Sequence, residues 1–409
     1  MVKGVKAGDR VVLAYSGGLD TSIIIPWLKE TYGVEVIAFC ADLGQGEDLE
    51  AVREKAIISG AKDIVIKDLR QEFLDEYAFP MLKSQALYES RYLLGTAIAR
   101  PVTAKALVEV AQNVGAAAVA HGATGKGNDQ VRFELGVMAL APHLKVIAPW
   151  REWHITSRVE AMDYAAAHDI PVTATKASPY SRDRNIWHVS HEGGVIEDPA
   201  VPAPEDVYTW TKDPQHVDAS PQTITVGFEH GVPVSINGTV MDSVSLMDTV
   251  NALGARYGIG RITMVENRQV GMKSRGVYET PGGTILYAAH QALTELVWDR
   301  ETAEFSRHVA IKMARLIYDG QWFSAVRESL MAFVDQANHV VSGTVTLVLH
   351  PGSVSIQAAV SPFSLYSQDL ATFDGGDYNH EDAQGFIRLV GLPLAVRRHM
   401  LSRVQGGKG

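Results

Sequence analysis

Across the first 170 residues, short apolar runs alternate with segments whose apolar positions recur every three or four residues. The runs at 10–15, 35–41, 63–67, 116–120 and 145–148 predict strands. Helical spacing predicts helices over 22–30, 48–59, 70–94 and 104–114. Ser157, with Glu160 three residues on, forms a capping box that opens a further helix to 168. Strands alternating with helices imply a parallel sheet covered on both faces, because each parallel crossover needs a long connection.

The pattern changes after Pro171. Residues 172–222 carry Pro179, Pro199, Pro202, Pro204, Pro214 and Pro221, which suits an ordered crossing or a loop-rich wall. From 223 the reading is α+β. A hairpin pairs 223–228 with 232–236, a helix covers 243–257, and a strand covers 261–266. Long helices follow at 281–298 and 301–318, then a second hairpin, 344–349 with 354–359, around His350, Pro351 and Gly352. Pro393 fits the first turn of a last helix. Val396, Met400 and Val404 line one of its faces beside Leu401, a stripe that suits core or a subunit contact better than a cofactor site. No internal repeat is visible.

Composition narrows the class. A chain of 409 residues suits two or three domains, and 46% hydrophobic residues is too apolar for a disordered one. No apolar stretch approaches the ~18 residues of a membrane span, and the run at 11–15 is too brief for a signal-peptide core. The single cysteine, Cys40, can form neither an intramolecular disulfide nor a CxxC pair, so a cytosolic protein is expected. A net charge of −10 without a basic stripe argues against a nucleic-acid partner. A polyanionic ligand must then be held by a local cluster of donors.

The segment AYSGGLDTS at 14–22 supplies such a cluster. It follows an apolar strand and opens a helix. Its adjacent glycines let the backbone turn sharply and present successive N–H groups. Ser16, Thr21 and Ser22 add hydroxyls, and the helix N-terminus adds a positive dipole end. Together these form an anion nest sized for phosphate. No G-x-x-x-x-G-K-[ST] loop is present: GATGK at 122–126 has the wrong spacing, and Gly127 stands where Ser or Thr is required. No G-x-G-x-x-G follows a strand, which argues against a dinucleotide-binding domain.

SGGLDTS at 16–22 resembles the pyrophosphate loop of the N-type ATP pyrophosphatases, which cleave ATP between the α and β phosphates and adenylate a carbonyl oxygen. Further segments narrow the resemblance to the argininosuccinate synthase family. They are YESRYLLGT (88–96), ARP (99–101), HGATGKGNDQVR (121–132), APWR (148–151), VENR (265–268) and GMKSRGVYETP (271–281). The resemblance runs from about residue 11 to the C-terminus. It implies an α/β nucleotide-binding domain of the adenine nucleotide α-hydrolase type at 1–171, an α+β synthetase domain at 172–380, and a C-terminal helical arm for oligomerisation at 381–409.

The resemblance also assigns residues. ATP would lie on Ala14, Tyr15, Ser16, Gly17, Gly18, Leu19, Asp20, Thr21 and Ser22, with Ala41 and Gly122. Citrulline would be held by Tyr92, Ala97, Asn128, Arg132, Ser181, Ser190, Glu266 and Tyr278, and aspartate by Thr124, Asn128 and Asp129. The family commonly has Ser where this chain has Ala97, so a backbone group or water must serve there. Ser16 and Asp20 are the candidate catalytic residues, with Asp20 organising a phosphate-bound Mg²⁺ directly or through water. The residue chemistry is consistent with these roles. Glu266 or Asp129 can accept from a substrate ammonium, and Arg132 can grip a carboxylate at two points. The resemblance further implies a homotetramer.

Two other readings stay open: another ATP pyrophosphatase with a different carbonyl substrate, or a non-catalytic nucleotide sensor. One cysteine and an acidic balance disfavour a tRNA-modifying sulfur transferase. His188, His191 and Glu192 hint at a metal site but lack a third ligand at zinc spacing, so they read as a polar wall beside Ser190, and no protein metal set is assigned.

Overall fold

The computed structural model describes residues 2–125, 127–171, 180–372 and 378–406. Lys126 and Pro179 therefore lie outside the described residues. The chain divides after Phe363 into two compact units.

The N-terminal third forms the expected parallel sheet from β1 (Arg10–Ala14), β2 (Glu35–Asp42), β3 (Asp63–Asp68), β4 (Ala118–His121) and β5 (Lys145–Ile147), in the order β3-β2-β1-β4-β5. Its strands alternate between two cores. Val11, Leu13, Ala38, Cys40, Ala118 and Ala120 pack on one face with Ile24 and Leu28. Val12, Ile37, Phe39 and Val119 pack on the other with Ile98 and Leu107. Burial on both faces explains why these strands are near-continuous apolar runs. Ala14 registers with Phe39 of β2 and with His121 of β4. The chain leaves β1 for β2 on one side and returns as β4 on the other, so the crevice between the carboxyl ends of β1 and β4 is a topological switch point, where such sheets bind ligands.

Among the described residues nine more strands follow: β6 (Ser181–Arg184), β7 (Val189–Glu192), β8 (Gln222–Glu229), β9 (Val232–Ile236), β10 (Thr239–Val240), β11 (Arg261–Asn267), β12 (Lys273–Glu279), β13 (Gly343–His350) and β14 (Ser353–Val360). They build two sheets, ordered β10-β9-β8-β13-β14 and β11-β12-β7-β6. Both expected hairpins are present in the first. The second was not legible in the sequence. β6 and β7 lie in the proline-rich stretch, and β12 is mostly polar or glycine up to Val277 and Tyr278.

Several helical expectations are corrected. The segment 70–94 is not one helix. It runs as Arg70–Phe73, a wider π-turn at Leu74–Ala78, and Phe79–Lys83, then leaves helical geometry, with Gln85, Glu89, Ser90 and Leu94 all at positive φ. The following helix starts at Gly95 rather than 104 and carries Pro101 inside it. Asp129–Leu140 and Ala325–Asn338 are helices that periodicity did not reveal. The last helix begins at His380, so Pro393 sits in its interior and not in its first turn. Val396, Met400 and Val404 are exposed on it. The capping box at Ser157 and Glu160 is present as read. Among the described residues no helix is long and apolar enough to cross a membrane.

Candidate active site

The β1 carboxyl end opens into the glycine loop. Gly17 takes φ 73°, a conformation that costs a side-chain-bearing residue but not glycine. Gly18 caps the helix Leu19–Tyr32 without any side-chain cap bond, the kind of helix start that suits an anion. The loop is braced from within. The Ser16 and Thr21 hydroxyls lie 3.2 Å apart, Ser22 Oγ donates to the Gly18 carbonyl at 2.8 Å, and Tyr15 Oη lies 3.1 Å from Ser22 Oγ. Ser22 is fully buried, so it acts as a brace rather than as a donor facing the crevice.

A cavity of about 1130 Å³ spans this edge of the sheet. It collects Ala14, Tyr15, Ser16, Gly17, Gly18, Asp20 and Thr21 from the loop, Ala41 from β2, and Gly122 and Thr124 from the segment after β4. Across it stand Asn128, Asp129 and Arg132, then Ser181 and Ser190 from β6 and β7, and Glu266, Tyr278 and Tyr92. Three residues assigned to ATP or citrulline are not on its wall, Leu19, Ser22 and Ala97, and neither are His188 and His191. Ala97 is completely buried in the helix Gly95–Asn113. Its neighbour Thr96 faces the cavity instead, with Oγ1 3.5 Å from Ser190 Oγ and 3.2 Å from His188 Nε2.

The middle of the cavity wall is a charge network. Arg100 donates to Asp129 at 2.8 Å and also to Asp183. Arg132 donates from Nη1 to Asp129 Oδ1 at 2.8 Å and from Nε to the Tyr318 carbonyl at 2.9 Å, with its guanidinium 4.9 Å from the Tyr318 ring centre. Burial alone would raise the Asp129 carboxyl, but the two guanidiniums outweigh it and hold the group well below the ordinary range. Burial dominates at Asp183 and moves its pKa up. Arg132 and Asp129, read as separate grips for two substrates, are thus bonded to each other. Asn128 Oδ1 accepts from the Gln269 amide at 3.1 Å, tying the glycine-rich loop to the VENR segment.

The far wall is aromatic. Tyr92 and Tyr278 stack with centroids 4.6 Å apart, and Tyr92 Oη accepts from the Thr96 amide at 3.1 Å. Strand pairing sets Tyr278 opposite both Ile262 and Ser190. Tyr278 Oη donates to Glu266 Oε2 at 3.1 Å, and burial raises the Glu266 carboxyl. The two histidines are otherwise employed. His191 Nε2 meets Glu279 at 2.7 Å, and His188 is buried between the Thr96 and Thr280 hydroxyls. Among the described residues no group of three His, Cys, Asp or Glu could hold a metal ion.

Sequence reasoning missed Lys55, Thr96, Arg100, Asp183 and Arg268, all of which line the cavity, as does Glu192, read as part of a polar wall. Arg100 sits inside the ARP segment and Arg268 inside VENR, so a signal existed for both. Asp183 had none, because nothing in a polar, proline-rich stretch marks a strand.

Comparison with known proteins covers nearly the whole chain. Residues 10–171 match the family model described as arginosuccinate synthase N-terminal HUP domain, and residues 180–397 match arginosuccinate synthase C-terminal domain. Argininosuccinate synthase of Moorella thermoacetica is 59% identical over 98% of this chain and 98% of its own length. That of Carboxydothermus hydrogenoformans is 59% identical over 95% of this chain and 97% of its own. The chloroplastic argininosuccinate synthase of Arabidopsis thaliana is 54% identical over 97% of this chain and 80% of its own. With both family models on consecutive parts of one chain and such relatives aligned over at least 95% of it, the protein belongs to the argininosuccinate synthase family of ligases.

Proposed function

We propose that the protein joins L-citrulline to L-aspartate at the expense of ATP, through a citrullyl-adenylate, releasing pyrophosphate and AMP. One observation carries this reading. An open helix N-terminus behind a glycine loop faces, across a single cavity, a polar wall of Asn128, Glu266 and Tyr278.

The chemistry follows from that layout. A ureido carbon is a poor electrophile until its oxygen becomes part of a good leaving group. Attack of that oxygen on the α-phosphorus expels pyrophosphate, and the loop from Ser16 to Thr21 offers amides and hydroxyls where its charge collects. Tyr278, Glu266 and Ser190 would orient the citrulline amino-acid end, and Tyr92 would close the pocket against water. Thr124, Asn128 and Asp129 would bring the aspartate amine to the activated carbon, whose oxygen then leaves with AMP. Holding three substrates in line accounts for most of the expected rate gain.

Asp20 lines the cavity beside the Ser16 and Thr21 hydroxyls, a set of hard oxygen donors that fits magnesium. Asp20 would hold the ion together with phosphate oxygens, and the ion would neutralise charge on the departing group. The exposed apolar face around Val396, Met400 and Val404 supports assembly of several copies, as a homotetramer.

Citrulline-dependent exchange of labelled pyrophosphate into ATP, measured without aspartate, tests the first half of this reading. Exchange should appear only when citrulline is present. Its absence, or exchange that ignores citrulline, overturns the reading.

A further inference from the structure

The Gly17 carbonyl is anchored from outside the loop. Lys55, on the helix Leu49–Ile58, donates to it from Nζ at 2.7 Å. The same helix presses on the loop one turn earlier: a Cβ placed on Gly17 would lie 3.2 Å from Val52 Cγ2. A trans peptide fixes the C=O of one residue antiparallel to the N–H of the next. Anchoring the Gly17 oxygen on Lys55 therefore turns the Gly18 N–H the opposite way. That amide has only a long contact, 3.4 Å, to Ser16 Oγ, a bond easily exchanged for a better acceptor.

Lys55 itself lines the cavity and is half-buried. An ammonium has three donors, and a phosphate-binding loop of this kind contains no lysine of its own. Burial lowers the Lys55 pKa from its ordinary value, and Glu47 acts in the opposite sense.

We propose that Lys55 is a positioning residue for the pyrophosphate end of ATP: it locks the Gly17–Gly18 peptide in the anion-receiving orientation. The inference rests on the ATP-pyrophosphatase reading above and names the residue that makes its loop competent. Val52 supplies the packing and Lys55 the orientation.

The test compares Lys55→Met, Lys55→Arg and the wild type. A hydrogen bond to a charged group is worth about 1.5–3 kcal/mol, which is about ten- to a hundredfold. Lys55→Met should raise the KM for ATP and the calorimetric Kd for inorganic pyrophosphate by that factor, with the KM for citrulline unmoved and the melting temperature close to wild type. Lys55→Arg should recover most of the loss. Unchanged ATP and pyrophosphate affinities in a folded Lys55→Met protein overturn the proposal, as does a loss that arginine leaves unrepaired. If the wild type shows no citrulline-dependent exchange, the assigned reaction fails, and the pyrophosphate affinities of the three proteins still decide the role of Lys55.

Discussion

Asp129 holds its charge between Arg100 and Arg132, each donating at 2.8 Å, and both guanidiniums are largely shielded from solvent. Removing that charge takes the carboxylate from Arg132 and leaves Arg100 with Asp183 alone, so the residue matters twice, as a partner for the arginines and as the proposed acceptor for the aspartate ammonium. Asp129→Asn keeps the shape. Aspartate use should weaken by about ten- to a hundredfold, the worth of a hydrogen bond to a charged group. Citrulline-dependent pyrophosphate exchange should survive, because adenylation does not need that ammonium contact. Steady-state kinetics with aspartate varied, beside the exchange assay, separates the two. Exchange that vanishes in a folded variant would move Asp129 to the citrulline or nucleotide end.

At this scale the sequence was legible where chemistry and chain coincide. The run from Ser16 to Thr21 and the residues Asn128, Asp129 and Arg132 each lie in one short segment, and the cavity holds both. It was least legible where a residue acts through the fold: Ala97 faces the core, while Thr96 carries the hydroxyl on the cavity side.

Among the elements, the β11-β12-β7-β6 sheet carries a buried carboxylate, Glu279, bonded to His191, Thr209 and Thr211. Burial would raise the Glu279 carboxyl, but bonds from His191, Thr209 and Thr211 bring it down to about 2. Burial pushes His188 down to about 3. Both shifts have the same consequence in acid. Glu279 ionises more readily in the fold than in the unfolded chain, so its contribution is complete above about pH 4.5 and fades as the pH falls toward 2. His188 is neutral in the fold while the unfolded chain takes up a proton below about pH 6.5, so stability falls from there to about 3. Each titrating group changes stability by at most about 1.4 kcal/mol per pH unit within its window. Denaturant midpoints should therefore decline steadily from pH 7 to 3, and in Glu279→Gln the part of the slope below pH 4.5 should shrink. A flat profile in the wild type contradicts the assignment.

Neither shift nor sheet could be read from the sequence. Strand β7 buries His191 and Ser190 at polar positions, so the alternation that marks a half-covered strand is missing. Periodicity worked where burial is apolar, as in β1, β2 and β4. It failed at the helix Gly95–Asn113, where Pro101 reads as a boundary yet sits inside the element.

Over the whole molecule, the parallel sheet and its switch point form the place proposed for the nucleotide, and the second sheet brings Tyr278, Glu266 and Ser190 to the same cavity. The first was foreseen as a fold class. The second needed strands from residues 181–192 and 261–279 to meet, a long-range pairing that no local pattern encodes. The joint cavity is what distinguishes a ligase from a nucleotide sensor, since sensing requires the first wall alone. The direct test is the fate of ATP when citrulline and aspartate are both supplied. Chromatography of the nucleotide products should show AMP rising in step with pyrophosphate and with the ligated amino acid, in equal amounts and with no ADP. ADP as the main product, or ATP consumed without citrulline, would contradict the account.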